Sequence, residues 1–260
     1  MKQRKKMLAA VLAALTLALS ACADRKEEEE YRMTAIHQLE AGNYEGAIST
    51  FDLALKEADG RVGAMELDIL KYRGEAEYKA GDYAAAAHTW DVLLQVDKKQ
   101  PEYLYARSMA KAGEGKTAEA LADYQAASDM DVQMDREAAW RKEALIAVGR
   151  ACQAAGEEEM ASRLYENALK QGIGQESAEI WNTLALACMA DGNYEEALPF
   201  LEQGIAVGDD AQMADLLYNQ AVAYEYTGEF EKALQSFEIY QASYGPDEGV
   251  EKEIAFLRTR

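Results

Sequence analysis

The chain has 260 residues, a formal net charge of −20 and a hydrophobic fraction of 49%. Its 3 prolines, set among many Ala, Leu, Glu and Tyr residues, favour helix throughout. A surface this acidic repels phosphate groups, which argues against nucleic acid as a partner. The composition therefore predicts a helical protein with a sizeable core that does not bind nucleic acid.

Residues 1–21 are typical of an export signal. A basic start at residues 1–6 precedes the apolar run 7–19, which is shorter than the roughly 20 apolar residues of a membrane-spanning helix. The run ends in Leu19-Ser20-Ala21-Cys22, a pattern that resembles the bacterial lipobox. This resemblance implies cleavage before Cys22 and lipidation of its thiol. A plain signal peptide with a chance cysteine is the alternative.

A lipidated Cys22 predicts attachment to a membrane. Each buried CH₂ of an acyl chain contributes about 0.8 kcal/mol, so two or three chains hold a soluble domain there. We therefore expect the protein on the extracytoplasmic face of a bacterial cell membrane, or on the outer membrane of a two-membrane envelope. Residues 22–27 are then the lipidated N-terminus and a short tether. The acidic run Glu27–Glu30 fits either this tether or the first turn of a helix, where acids suit the dipole.

A short motif recurs along the rest of the chain. GNYEEAL at Gly192 returns as GNYEGAI at Gly42, and more loosely as GDYAAA at Gly81 and GEFEKAL at Gly228. Such self-similarity marks a stacked repeat. An amphipathic stretch lies on each side of every turn glycine, which predicts helical hairpins, each with a helix A before the glycine and a helix B after it. The turn glycines are Gly42, Gly81, Gly115, Gly156, Gly192 and Gly228.

Small and large residues recur at fixed places in these hairpins. The small residues of helix A are Ala35, Gly74, Ser108, Gly149, Ala185 and Ala221. The alanines of helix B are Ala47, Ala86, Ala120, Ala161, Ala197 and Ala233. The large residues of helix B are Phe51, Trp90, Tyr124, Tyr165, Leu201 and Phe237. Small residues allow two helices to cross closely, so we expect the large ones to be buried between neighbouring hairpins.

These positions resemble the tetratricopeptide repeat. The resemblance implies an all-α, right-handed superhelical solenoid of about six helix-turn-helix hairpins, with a C-terminal capping helix at 247–260. The units are 28–61, 67–100, 101–134, 142–175, 178–211 and 214–246, together 28–246. Extra residues at 62–66 and 135–141 are expected to lengthen two links, and Pro199 falls inside a helix, where it costs a hydrogen bond.

The sequence contains no recognisable catalytic constellation. His37 and His88 have no His or Cys at ligand spacing, and the aspartates of segment 129–135 lack the glycine and glutamate of a calcium loop. Cys152 and Cys188 occupy the same place in adjacent repeats and are expected to be buried apolar residues. The sequence predicts a protein that is not an enzyme and holds no cofactor or metal.

In the family, helix A lines a concave groove with its second, fifth, ninth and twelfth residues. Here the resemblance implies an apolar floor of Tyr105, Met109, Ile146, Asn182, Leu186, Met189, Tyr218 and Val222. We expect Tyr105, Met109, Leu186, Met189 and Tyr218 to be partly exposed, because they lie on the helix faces that line the groove. Exposed apolar surface of this extent usually has a partner, so the floor predicts a binding groove.

The second residue of helix A is acidic in all six units. In units three to six these residues are Glu102, Glu143, Glu179 and Asp215, an acidic rim. These acids either attract a basic partner or merely stabilise the positive, N-terminal end of each helix dipole. Arg32, Lys71 and Arg150 share the groove with this ladder of acids, which argues against the basic clamp used by relatives that grip acidic tails.

The sequence thus predicts a membrane-anchored scaffold that binds a protein or peptide segment, apolar with basic flanks, during assembly of an envelope complex. Lipoproteins of several such repeats resemble pilus pilotins and outer-membrane assembly factors in architecture. The alternative is an accessory subunit that positions a cell-wall-active enzyme or binds glycan. The sequence does not fix the oligomeric state.

Overall fold

The computed structural model describes residues 25–60, 62–134 and 138–260. The predicted signal peptide and the predicted lipidation residue Cys22 lie outside these residues. Within them, no helix combines the length and the apolar character needed to cross a membrane.

Thirteen α-helices fill the described part of the chain, in which no strand occurs. They are α1 (residues 25–40), α2 (Tyr44–Glu57), α3 (Ala64–Ala80), α4 (Tyr83–Val96), α5 (Pro101–Gly113), α6 (Thr117–Met134), α7 (Arg141–Ala154), α8 (Glu158–Lys170), α9 (Ala178–Ala190), α10 (Tyr194–Val207), α11 (Asp210–Tyr226), α12 (Phe230–Tyr244) and α13 (Glu248–Leu257). The odd-numbered helices α1 to α11 are helices A, and the even-numbered ones are helices B. The fold is an all-α solenoid of helical hairpins, as predicted.

The turn between helices A and B follows from one glycine. Gly192 has a left-handed φ of 79°, and its N–H donates to Met189 O at 3.0 Å. The next N–H, of Asn193, reaches back to Cys188 O at 2.8 Å. This pair of bonds satisfies carbonyls that would otherwise be orphaned at the helix end. A residue with a Cβ would be strained there, so glycine recurs.

Close helix crossings depend on the small residues of helix A. A Cβ added to Gly74 would lie 2.9 Å from the Trp90 ring, and one added to Gly149 would overlap the Tyr165 hydroxyl. The large residues of helix B fill the space between the helices. As expected, they are all buried: Phe51, Trp90, Tyr124, Tyr165, Leu201 and Phe237.

The chain divides into two compact units, at Ala144 and Leu145. In the N-terminal unit, Ala35 and Leu39 of α1 pack with Phe51 of α2 and Ile69 of α3. In the C-terminal unit, α9, α10 and α11 share a core that contains Leu201 and Leu216. Each unit therefore has its own hydrophobic core.

The last helix, α13, closes the C-terminal unit. Val250, Ile254 and Leu257 are buried against a cluster that includes Phe237 of α12. The Asp247 carboxylate caps the helix by accepting the N–H groups of Gly249 (2.8 Å) and Val250 (3.0 Å). The helix therefore turns one apolar stripe inward, as a capping helix requires.

Three local expectations are settled by the helix bounds. The acidic run Glu27–Glu30 lies inside α1, and Glu28 is buried, so these acids belong to a helix and not to a solvated tether. Residues 64–66 were expected in a link but form the first turn of α3, where the Glu66 carboxylate accepts the Gly63 N–H at 2.8 Å. Helix α10 continues through Pro199.

Two arginines of the N-terminal unit link neighbouring hairpins. Arg73 of α3 donates to Asp52 of the preceding hairpin (2.8 Å) and to Thr89 of its own (2.9 Å). Arg107 of α5 repeats the arrangement with Asp91 (2.5 Å) and Asp123 (2.7 Å). We call these contacts the arginine clamps.

Candidate functional site

Two neighbouring helices A of the C-terminal unit, α9 and α11, carry exposed apolar residues at predicted groove positions. Leu186 and Met189 of α9 and Tyr218 and Val222 of α11 are spaced three or four residues apart, so each pair lies on one helix face. Leu186 is 44% exposed and Tyr218 42% exposed, whereas Met189 and Val222 are half-buried. Leu186, Met189 and Tyr218 are partly exposed, as expected. From here on, the name apolar floor is kept for the four residues Leu186, Met189, Tyr218 and Val222.

An asparagine pair joins the two helices beneath this floor. Asn219 Nδ2 of α11 donates to Asn182 Oδ1 of α9 at 3.0 Å. Asn182, predicted to line the groove, is only 7% exposed, so its visible role is to hold α9 against α11. Ile146, also predicted to line the groove, is half-buried in α7.

The exposed Tyr218 ring rests on a fixed aromatic base. It meets the buried Phe237 ring edge-on at 5.8 Å and the Tyr240 ring at 6.0 Å. Tyr240 in turn contacts Tyr244 at 5.4 Å, and Tyr244 is 45% exposed. Edge-to-face packing of this kind restrains the rings. The floor is therefore held in place before any partner arrives.

The expectation of a partly exposed Tyr105 is wrong. Tyr105 is fully buried, packs on Tyr124 at 5.5 Å, and donates its hydroxyl to the buried Asp131 at 2.9 Å. Burial, reinforced by the hydrogen bond to Asp131, raises the pKa of the Tyr105 phenol well above its ordinary value. Of the floor residues predicted in the N-terminal unit, only the half-buried Met109 reaches the surface.

The acidic rim has a structural role that neither sequence interpretation anticipated. Arg32 Nε of α1 donates to Asp68 of α3 at 2.8 Å, and Lys71 Nζ of α3 lies 3.3 Å from Glu102 of α5. These ion pairs connect successive helices A of the N-terminal unit.

The same device occurs in the C-terminal unit. Arg150 of α7 donates two hydrogen bonds to Glu179 of α9, at 2.6 and 2.5 Å. A signal was present in the sequence, because each acid follows a basic residue on the groove side of the preceding helix A. The rim acids that have no ion pair among the described residues are Glu143 and Asp215, both exposed.

A further negative charge lies at the far end of α11. Asp215, Tyr218, Val222 and Glu225 follow one stripe of this helix, with about 15 Å between its acidic ends at 1.5 Å per residue. Partial burial and the nearby charge of Glu253 on α13 raise the pKa of the Glu225 carboxyl. The apolar floor is therefore flanked by carboxylates. Glu225 is the twelfth residue of unit 214–246 and so a groove position by spacing, but its contact with Glu253 on the capping helix is not visible in the repeat pattern.

Repeated antiparallel hairpins with glycine turns define a helical-repeat scaffold. Two sequence profiles, both of the tetratricopeptide repeat, match residues 32–102 and 176–239. The chain belongs to the tetratricopeptide repeat family. Proteins of this family bind protein or peptide partners and are generally not catalytic. No group of three His, Cys, Asp or Glu residues placed to hold a metal ion occurs in the described ranges.

Several solved structures are similar to the chain in fold. Pseudomonas aeruginosa pilF matches with a TM-score of 0.63 and 14% identity, over 91% of this chain and 99% of pilF. The apo form of the quorum sensor NprR from B. thuringiensis matches at 0.60 and 13% identity, over 88% and 68%. YrrB, a TPR protein with an unusual peptide-binding site, matches at 0.55 and 17% identity, over 77% and 94%. No curated protein matches in sequence.

Proposed function

We propose that this protein is a lipid-anchored scaffold on the extracytoplasmic face of a bacterial membrane, and that it captures a protein or peptide segment on the apolar floor. The observation that carries the proposal is the exposure of Leu186 and Tyr218 on adjacent helices, above the buried Phe237. Exposed apolar side chains held on a rigid base favour a partner, because binding them requires little further ordering. The similarity to YrrB supports a peptide as the partner.

The partner is an apolar segment with basic flanks. Its apolar side chains would cover Leu186 and Tyr218, and its cations would face Asp215 at one end of α11 and Glu225 at the other. Such charges contribute to steering and register more than to affinity, and their effect weakens as salt rises. We place this capture in the assembly of an envelope complex, in line with the lipobox at residues 19–22 and the multi-repeat architecture.

Site-specific photo-crosslinking tests the binding surface. A crosslinking amino acid is placed at Leu186 or Tyr218 in the full-length protein in its own cells, and the matched control is Gln203, which is exposed on α10. A protein adduct from positions 186 and 218 but not from 203 supports the proposal. A glycan adduct supports the alternative of a cell-wall-binding subunit, and the same adducts from all three positions contradict a specific surface.

A double substitution then separates binding from folding. Leu186→Ala with Tyr218→Ala should abolish the adduct while moving the melting temperature little, because both side chains are more than 40% exposed. Circular dichroism and crosslinking measure the two effects. A variant that unfolds would show that these residues belong to the core.

The anchor has its own test. Cys22→Ala should remove incorporated radiolabelled fatty acid and release the protein from the membrane fraction, because the predicted acyl acceptor is lost. Cys188→Ala is the control, since that thiol is half-buried in α9. Normal labelling of the Cys22→Ala protein would contradict the lipoprotein proposal.

A further inference from the structure

A cavity of about 160 Å³ opens in the N-terminal unit. Its aromatic and apolar lining residues are Tyr72, Trp140 and Ala139. Its charged groups are Asp68, Lys71, Glu75 and Glu102. The cavity therefore combines aromatic walls with three carboxylates and one ammonium group.

Trp140 is fixed in an uncommon conformation. Its φ of 63° is left-handed, which is rare for a bulky residue. Its ring packs edge-on against the buried Trp90 at 5.3 Å, and its carbonyl accepts the Ala144 N–H at 2.8 Å. These contacts hold the ring over the cavity, so the aromatic wall exists before a ligand binds.

The segment before Trp140 is also held in place. The Ala138 N–H donates to the buried Asp131 carboxylate at 3.4 Å, and Arg141 Nε lies 3.8 Å from the same carboxylate. Asp131 already accepts the Tyr105 hydroxyl. The buried carboxylate that removes Tyr105 from the surface thus positions the segment that carries Trp140.

The carboxylates of the cavity have room for another cation. Lys71 pairs with Glu102 at 3.3 Å, Arg32 with Asp68, and Lys79 with Glu75 at 2.8 Å. Each carboxylate offers about four lone-pair sites, so one existing partner leaves acceptor capacity. Lys71 and Glu102 are both partly solvent-exposed, and ion pairs in contact with solvent are weak, so we expect this pair to exchange readily.

We propose that this cavity accepts the side chain of a lysine or arginine from a partner protein. Such side chains have an apolar stem and a cationic head. The stem would lie between Tyr72 and Trp140, where the rings also attract the cation, and the head would reach the carboxylates of Asp68 and Glu102. A neutral apolar side chain would cover these carboxylates without compensating their lost hydration. The cavity is independent of the apolar floor, which lies in the other unit.

Fluorine NMR of the full chain in detergent tests the cavity. The chain has 3 tryptophans, so 5-fluorotryptophan labelling gives three resonances, and Trp140→Phe identifies that of Trp140. The probes are the Nα-acetyl amides of lysine and arginine, with the Nα-acetyl amide of norleucine as the neutral match. We expect a saturable shift of the Trp140 resonance with both basic probes. The Trp181 resonance should not move, and norleucine should have no effect.

Three variants test which groups bind the probes. Asp68→Asn with Glu102→Gln should weaken the basic probes at least fivefold, whereas the exposed Glu195→Gln in the other unit should not. The protein with both Leu186→Ala and Tyr218→Ala should bind the probes normally, which separates this cavity from the apolar floor. Equal shifts with norleucine, no shift with the basic probes, or full binding by the Asp68→Asn, Glu102→Gln protein would overturn the proposal.

Discussion

The two units of this protein use the same hairpin but hold it together differently. In the N-terminal unit, the arginine clamps place a charged side chain between neighbouring hairpins at Arg73 and Arg107. Each clamp also bonds a residue sixteen positions later, Thr89 or Asp123. In the C-terminal unit the matching places hold Val148, Leu184 and Gln220, and Gln220 accepts one neutral hydrogen bond, from Ser236 at 3.2 Å.

The two units also differ in the side chains that they expose at their surfaces. The N-terminal unit uses its charges internally, since the acids of its rim pair with Arg32 and Lys71 of the preceding helix. The C-terminal unit has one ion pair of this kind, Arg150 with Glu179, and keeps Leu186 and Tyr218 exposed. One repeat pattern therefore yields a unit closed by ion pairs and a unit with a free apolar surface. The first is suited to rigidity, and the second to capturing a partner.

Removing a clamp should test this difference most strongly. Arg107→Met leaves Asp123 and Asp91 without their arginine, and we expect a loss of about 2 kcal/mol in the free energy of unfolding. The matched change Gln220→Met removes one neutral hydrogen bond and should cost about 1 kcal/mol or less. Urea unfolding measures both. Equal losses would show that the two units are stabilised in the same way.

Replacing a glycine at a close helix crossing should destabilise the C-terminal unit more than the N-terminal unit, which is the reverse of the order expected for the clamp variants. Gly149→Ala in the C-terminal unit adds a Cβ that overlaps the Tyr165 hydroxyl, which is buried, and should cost about 1–2 kcal/mol. Gly74→Ala in the N-terminal unit meets the Trp90 ring at 2.9 Å. There the gain in helix propensity, about 1 kcal/mol, offsets much of the strain. Hydrogen exchange should report the Gly149→Ala loss within residues 145–260, and a uniform loss would contradict the division into units.

The sequence alone predicts those parts of the structure that depend on residues close to one another in the chain. A glycine that must adopt positive φ, as at Gly192, and a small residue beneath a large one, as at Gly149 and Tyr165, are both visible as spacing. The exposure of Leu186 and Tyr218 follows from their places in helix A. Because these features recur in several repeats, a position that is ambiguous in one repeat can be assigned by comparison with the others.

The parts that were missed depend on contacts between distant segments. Tyr105 is buried because Asp131, 26 residues later, takes its hydroxyl, and the segment after Asp131 also carries the Trp140 wall. The pairing of Arg150 with Glu179 spans 29 residues. The repeat pattern marks both residues as groove positions, but it describes each hairpin alone and does not show that the two side chains pair. The extra residues at 135–141 have no counterpart in most of the other repeats, so the repeat pattern predicts least about their contacts.

The smallest expected effect on stability comes from the carboxylate of Glu225 in the C-terminal unit. Burial, and then the charge of Glu253, raise the pKa of Glu225, so the folded chain binds a proton there more readily than the unfolded chain. The charged carboxyl therefore costs stability at neutral pH, and the cost disappears as the pH falls through the folded pKa towards the unfolded value of about 4.3. Glu225→Gln should raise the free energy of unfolding at pH 7 by at most about 0.5 kcal/mol.

The pH dependence of this gain distinguishes it from a packing effect. The advantage of Glu225→Gln should shrink as the pH is lowered from 7 to 4, whereas the exposed Asp215→Asn on the same helix should show no such gain. Thermal melts across this range measure both. A gain that is constant with pH would mean that the charge is not its source. If the gain titrates, then the free protein tolerates a repulsion beside the apolar floor that a basic partner would relieve, and the same charge that slightly destabilises the fold would favour binding.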